Sequence, residues 1–447
     1  MDARLTPAAI AVALATLGVA RAAHADPLQD LQVQVDRLTH ELAELRQASA
    51  EAPARARAAD ADVATRRRGA DNNAVTAGAT KGSFKLPGSD TSVTLGGYVK
   101  LDAIYSDRSA GVGSTADLQY EPGSVPVGPT AGDNERGQVK LHARQSRFNI
   151  GTGTPTAWGD LTTLLEFDAF GVSGNESVSN SNALRVRHAY GTLGHLLIGQ
   201  TWTTFSDVAT YPETLDFGGP AGVIFARQAQ VRWTQPFSGG QWAVALENPE
   251  TVAALPGGES FRADDDRFPD LAGRIRFDTR FGTWSLAGLA RQIRVDSAAA
   301  PATREQKWGG AVGVSAVVPL HGGDDVRASA HYGNAIGRYA IGFFPDGLVD
   351  TASHLVLSNE WLAMVAYRHF WRPGLRSTLA LSGLRASHPA GTAGSVNRSA
   401  ESAHLNLIWS PLARVDLGLE YIHATRQVES GDTGRLNRVQ ASAVYRF

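Results

Sequence analysis

Cysteine is missing from all 447 positions, and methionine occurs only twice. Disulfides and thiolate metal sites are therefore excluded, and the absence fits an exported chain with no thiols to protect. Long apolar runs are missing as well. No block reaches the roughly 18 residues that a membrane-spanning helix needs. A dominant charge is lacking too: the net charge is −2, which argues against general affinity for nucleic acid, since phosphate binding needs a concentrated positive surface. Catalytic signatures are equally scarce. Gly-x-Ser-x-Gly, His-Glu-x-x-His and phosphate-binding glycine loops do not occur. His142, His188, His331 and His404 lie on separate segments, without a neighbouring serine motif or metal-ligand spacing. Neither an enzyme nor a bound metal or cofactor is expected.

What the chain does have is glycine (47 residues) and scattered proline (20) around short alternating segments. From Ser92, the residues Val93, Leu95, Val99, Leu101, Ala103 and Tyr105 share one face, while Thr94, Lys100, Asp102 and Ser106 share the other. The pattern recurs in Leu161–Ala169, Leu184–Tyr190, Gln230–Trp233, Gln241–Glu247, Leu271–Phe277, Trp308–Val318 and Val326–Tyr332. It continues through Trp361–Tyr367, Leu375–Leu381, Leu405–Trp409, Val415–Tyr421 and the final Leu436–Phe447. A period of two with one apolar face predicts strands. Short connectors (Gly151–Asp160, Phe237–Gly240, Gly322–Asp325) alternate with long polar ones (Asp107–Gly137, Pro249–Asp270, Gly337–Leu357). Short turns on one rim and long loops on the other predict a closed antiparallel transmembrane β-barrel of about 16 strands. Tyr98, Tyr105, Trp158, Tyr190, Trp233, Trp242, Trp284, Trp308, Tyr367, Trp371 and Trp409 are expected at the membrane interfaces. A propeller or sandwich would bury the same aromatics, but the terminal Phe447 and the leader described next disfavour both. Phe447 is also the expected handle for the barrel-assembly machinery.

The N-terminal region divides into three. Arg4, the uncharged run Ala8–Ala20 and Ala23-His24-Ala25 predict a signal peptide over residues 1–25, so export to the outer membrane of a Gram-negative cell is expected. Leu28, Leu31, Val35, Leu38, Leu42 and Leu45 fall at alternating steps of three and four, which predicts a periplasmic coiled coil over 26–47. One amphipathic helix packed on its own protein is the competing reading. Residues 48–82 show no periodic apolar face and are read as a flexible linker, Arg66-Arg67-Arg68 included. The barrel is expected over 83–447.

The run Gly82-Ser-Phe-Lys-Leu-Pro-Gly-Ser-Asp-Thr-Ser-Val-Thr-Leu-Gly-Gly-Tyr-Val-Lys-Leu-Asp-Ala-Ile-Tyr105 resembles the opening of DcaP-like trimeric outer-membrane porins. So do Ala143-Arg-Gln-Ser-Arg-Phe148, Arg187-His-Ala-Tyr-Gly191 leading to Gly199-Gln-Thr-Trp202, and Pro212-Glu-Thr-Leu-Asp-Phe217. After about Asp270 only a general porin pattern is left. The resemblance implies a homotrimer of barrels with a periplasmic coil, set among outer-membrane lipid and lipopolysaccharide and taking up small anions such as dicarboxylates.

Charge placement supplies candidate site residues independently. A charge against lipid at mid-depth costs about 2–4 kcal/mol, so charged strand residues point into the lumen. Lys100 with Asp102, Lys140 with Arg144, Arg185 with Arg187, Arg274 with Arg276, and the single residues Arg232 and Arg327 are assigned there. Arg147 breaks the parity of its strand and joins them if a bulge turns it inward. Arginine stays ionised and grips carboxylates with two prongs, so a ladder of it suits an anion path. The alternative is that these residues merely pair with Asp102, Glu166, Asp168, Glu247, Asp278, Asp416 and Glu420. Ser206–Gly222, with Asp207, Glu213 and Asp216, is read as a loop folded into the pore, its acids facing the arginines across a transverse field. A porin without anion preference, general or sugar-type, is the main competing function. A barrel-embedded hydrolase and a purely structural adhesin are weaker ones.

Overall fold

A computed structural model describes residues 27–72, 75–108, 115–128, 136–171, 174–263, 265–297 and 302–447. The signal-peptide reading lies outside these residues. The chain separates into two compact units, divided between Ala74 and Val75.

The first unit is one helix, α1 (Pro27–Asn72). It runs through most of the segment read as a linker. Alanine at 48, 50, 52, 54, 56, 58, 59, 61 and 64 explains this: it is the strongest helix former but adds too little apolar surface to register as a stripe. Ion pairs one turn apart, Arg37–Glu41 (3.2 Å), Arg55–Glu51 (2.8 Å) and Arg66–Asp62 (2.9 Å), support its surface. Val35, Leu38, Leu42 and Leu45 are all exposed, so the apolar seam is uncovered in a single chain.

The second unit is a closed antiparallel barrel of sixteen strands. In chain order they are β1 (Ser92–Ser106), β2 (Gln138–His142 continued by Arg147–Thr156), β3 (Gly159–Asp168), β4 (Arg185–Leu193), β5 (Leu196–Trp202), β6 (Arg227–Phe237), β7 (Gly240–Glu247) and β8 (Asp270–Thr279). Then follow β9 (Gly282–Ser297), β10 (Thr303–Pro319), β11 (Asp325–Gly333), β12 (Asn359–Arg372), β13 (Leu375–Ser387), β14 (Asn397–Leu412), β15 (Val415–Val428) and β16 (Thr433–Arg446). Each pairs with its sequence neighbours, and β16 closes the ring on β1 from Tyr98↔Arg446 to Ser106↔Arg438. No edge remains to be satisfied, which is what a strand structure in lipid requires.

Dyad alternation is explicit. On β1, Val99 and Leu101 are 55% and 50% exposed while Lys100 and Asp102 are 4% and 1% exposed. Two departures from it matter. On β2, four residues (143–146) stand against three on β1 between the pairs Asp102↔His142 and Tyr98↔Arg147. That bulge flips the parity, turning Arg147 inward and Phe148 outward. On β4, the register skips Arg187, since Glu166 pairs with His188 and Phe167 with Val186. Arg187 and His188 therefore both lie buried on the inner side.

Three sequence expectations need correcting. Gly151–Asp160 is mostly strand, with its turn only at 157–158; Gly151, Gly153 and Pro155 had disguised it. The alternating segments omitted β2, β5 and β9. Tyr98 and Tyr190 belong to the lumen rather than the interface girdles. The Arg147 guanidinium lies 5.1 Å from the Tyr98 ring centroid, and Tyr190 meets the inward His188 edge-on at 6.2 Å.

Two-residue turns (157–158, 194–195, 238–239, 280–281, 373–374, 413–414) mark the periplasmic rim, and longer loops mark the extracellular one. Three of those loops fold inward. Tyr120, Phe205, Ile224, Tyr339, Phe343 and Phe344 form one apolar core with Leu289, Leu362, Leu384 and Ile422 on the inner faces of β9, β12, β13 and β15. Short strands Val252–Ala254, Ser260–Arg262, Gly347–Val349 and Leu355–Val356 join two of the loops in a small sheet. It is clamped by fully buried Arg291, which reaches Asp270 at 3.0 Å and Asp346 at 2.5 Å. Loops thus fill the β9–β16 side of the bore.

Candidate functional site: an arginine wall beside an inward loop

Residues 203–226, between β5 and β6, cross the barrel interior. Thr203 Oγ1 and Thr204 N donate to Glu247 at 2.7 and 2.6 Å, fixing the start of the loop to β7. On the far side, Leu215 N donates to Glu420 Oε2 (2.6 Å) and Asp216 N to Glu420 Oε1 (3.3 Å) on β15. Ala221 N donates to Ser402 Oγ at 3.1 Å on β14. Gly222 passes the wall so closely that a Cβ would lie 2.1 Å from the Ala363 carbonyl oxygen. Only glycine permits that approach.

The sequence-derived candidates fall into three groups. Several of them hold this loop. Lys100 reaches the Leu215 carbonyl and Gln145, both at 2.5 Å, and Asp102 at 3.1 Å. Arg274 donates to the Ser206 carbonyl, and Arg327 to the Tyr211 carbonyl at 2.5 Å and to Asp325 at 2.8 Å.

A second group is paired. Arg185 grips Asp168 in two-pronged fashion at 3.0 and 2.7 Å. Arg187 bridges Glu166 (2.8 Å) and Asp168 (2.9 Å), and Arg147 stands 3.4 Å from Glu166. Arg276 pairs with Asp278 at 3.1 Å, while Lys140 and Arg144 approach Glu176 at 3.1 and 4.0 Å.

The third group forms no ion pair among the described residues, although Glu247 lies within Coulombic reach of Arg232. Arg232 forms no ion pair there, and its buried Nε has no hydrogen-bond partner. Arg227, at the start of β6, was not singled out from the sequence. Its guanidinium packs over Trp202 (4.8 Å) and Phe225 (5.4 Å), its buried Nη1 is likewise unsatisfied, and it lies within Coulombic reach of Arg147, Arg185 and Arg187 and of the Asp168 carboxylate. The sequence signal was present but ambiguous: Arg227 opens a strand, where parity alone does not say which way a side chain turns.

The acids of the inward loop form no ion pair with Arg147, Arg185, Arg187 or Arg227. Asp207 caps its own turn through Ala209 N (3.2 Å) and accepts from Ser285. Glu213 takes Arg376 Nε at 2.8 Å and lies 3.6 Å from Arg368. Asp216 is buried, accepting from Tyr120 N (2.9 Å) and Gly218 N (2.8 Å). A carboxylate stripped of water needs such donors, and they lie away from the ladder. What the loop turns toward Arg185 and Arg187 is the Phe217 ring, at 5.0 and 5.2 Å. Phe170 stacks on Phe217 at 4.8 Å, and Phe225 meets it edge-on at 6.1 Å. A strip of rings is thus held against Arg185 and Arg187, while the loop acids meet other arginines: Glu213 meets Arg376 and Arg368, Asp216 stands 3.7 Å from Arg438, and Asp207 lies within Coulombic reach of Arg274.

Residues 72–447 match the model of the DcaP outer membrane protein family. The crystal structure of the outer membrane channel DcaP of Acinetobacter baumannii is similar, with TM-score 0.71 and 25% sequence identity over 81% of this chain and 99% of that one. An anion-selective porin from Comamonas acidovorans has TM-score 0.52 at 13% identity, covering 80% of this chain and 100% of that one. OmpT of Vibrio cholerae has 0.51 at 11%, with 80% and 98% covered. No curated protein sequence matches the chain.

Proposed function

Because the chain belongs to the DcaP outer membrane protein family, and so is an outer-membrane porin rather than an enzyme, we propose that it passes small anionic solutes, dicarboxylates among them, by passive diffusion along the wall formed by β2, β4 and β6. The observation that carries this reading is the local charge balance. Arg147, Arg185 and Arg187 share Glu166 and Asp168, and Arg227 stands beside them within Coulombic reach of Asp168 but forms no ion pair among the described residues, so four guanidiniums meet two carboxylates. Guanidiniums set along a wall let an anion step between sites without one deep well. Succinate added to one side of a planar bilayer should interrupt the single-channel current. Currents indifferent to succinate would remove the dicarboxylate assignment.

The aromatic strip of Phe170, Phe217 and Phe225 supports a second reading, a porin for uncharged sugars that slide over ring faces. Maltose rather than succinate would then interrupt the current.

A homotrimer is proposed on two grounds. The outward faces of β2, β3 and β5 carry Thr152, bonded to Thr163 at 2.6 Å, and Gln200, where β14 shows Leu405 and Leu407. Polar groups suit a wall covered by another copy better than one facing lipid. β5 also has only 7 residues, short of the roughly 9–11 that a lipid-facing strand needs. The uncovered seam of α1 supports a coiled coil between the same copies. Phe447 is proposed as the assembly-machinery signal.

A further inference from the structure

The outer surface of β12–β16 carries a feature the lumen does not use. Strand register places Ala363, Gly383, Glu401, Thr425 and Arg435 side by side in one outward row. The next row toward the periplasm is Val365, Leu381, Ala403, His423 and Asn437. Small residues at 363, 383 and 403 leave a groove of about 510 Å³ beneath Trp361. At the extracellular rim the groove meets a pocket of about 700 Å³, with which it shares Glu401 and Thr425. That pocket is lined by Arg108, Arg136, Arg426 and Arg435. Arg426 is committed to Asn397 (2.8 Å) and the Val125 carbonyl (2.9 Å). Arg136 and Arg435 have no ion pair among the described residues, and Glu401 reaches neither.

We infer that this continuous surface is a binding site for a phosphorylated glycolipid of the outer leaflet, its phosphate on Arg136 and Arg435 and one acyl chain in the groove over Gly383. The inference rests on the outer-membrane reading. Guanidinium forks match phosphate geometry. Their depth is also right, because cationic side chains cost only about 0–1 kcal/mol near the interface against about 2–4 at the midplane. A chain laid over small residues restores the dispersion contacts that an open dent lacks. Free phosphate would leave the apolar groove without an occupant. A second protein copy would have to bury Glu401 beside the arginines.

The test uses the full-length protein purified in mild detergent, with lipid A carrying its phosphates, dephosphorylated lipid A and phosphatidylglycerol offered separately and retention read by native mass spectrometry. Wild type should retain phosphorylated lipid A stoichiometrically, and the R136A/R435A double variant should retain it about ten-fold less. Gly383→Leu supplies a second arm. A Cβ there meets its nearest atoms at 3.6 Å, an ordinary contact, so the variant should fold, fill the groove and weaken retention with the arginines intact. Unchanged retention in both variants, or equal retention of dephosphorylated lipid A or phosphatidylglycerol, would overturn the proposal. So would a pair of copies with the lipid absent. Single-channel conductance of R136A/R435A should match wild type; a wild type that retains lipid A but carries no current would count against the porin reading and not against the lipid site.

Discussion

Glu213, on the loop that crosses the bore, accepts from Arg376 of β13 at 2.8 Å. Arg368 of β12 stands 3.6 Å away, so one carboxylate anchors the loop to two strands. Hydrogen bonds between charged groups contribute about 1.5–3 kcal/mol. Glu213→Gln should loosen the loop by about that amount, which would appear as current noise and sub-conductance states in single-channel traces. Quiet, wild-type traces would show that Leu215, Asp216 and Ala221 hold the loop without it.

Arg227 offers a cleaner probe of selectivity than the paired arginines. Removing it breaks no ion pair among the described residues. A unit charge about 6 Å from a permeating ion in water is worth about 0.7 kcal/mol, attractive for an anion and repulsive for a cation, so Arg227→Ala should cut the anion-to-cation permeability ratio about tenfold with little change in melting temperature. The double variant R185A/R187A behaves differently. It strips Asp168 of both its ion-pair partners and leaves Glu166 only Arg147 and the neighbouring His188, so Arg147 and Arg227 just balance the two acids and selectivity should fall to near neutral. An unchanged reversal potential in both variants would place the ion path elsewhere.

On the periplasmic turn between β10 and β11, Asp324 accepts from Tyr367 Oη (2.5 Å), His369 Nδ1 (2.8 Å) and Phe370 N (2.8 Å). These bonds hold its carboxyl down at about 2, against an ordinary 3.8. A carboxyl whose folded value is depressed stabilises the fold above its unfolded value and loses that contribution as pH falls through the folded one. Asp324→Asn should therefore melt below wild type at neutral pH, with the gap narrowing between about pH 4 and pH 2. A gap independent of pH would assign the effect to packing.

The seam of α1 predicts that Leu38→Asp with Leu42→Asp separates the helices of neighbouring copies while the barrel still folds. Cross-linking through cysteines introduced at position 45 should capture multimers in the parent and monomers in the variant. Multimers in both would mean that α1 does not pair.

Much of this was legible in the chain. Inside-out alternation at Val99, Lys100, Leu101 and Asp102 fixes which face is wet, because only one side of a strand tolerates charge in lipid. Ser206–Gly222 was readable as an inward loop from its acids and its Gly218-Gly219-Pro220 end. What stayed hidden depended on partners distant in sequence. The destinations of Glu213 and Asp216 are set by Arg376, Arg368 and Tyr120, which no local pattern links to the loop. Arg147 turns inward through the bulge its broken parity had suggested, but the skipped register that brings His188 inward beside Arg187 changes no composition and left no local signal. The alanine-rich half of α1 escaped for the opposite reason: its propensity is strong but its apolar signal weak.

The bore presents excess positive charge to passing ions, and the zero-current potential across a planar bilayer reads the sign of that charge. With a tenfold potassium chloride gradient, a chloride-preferring pore drives the dilute side negative, and the wall of Arg147, Arg185, Arg187 and Arg227 predicts that sign. A dilute side that turns positive, as potassium preference requires, would contradict the account.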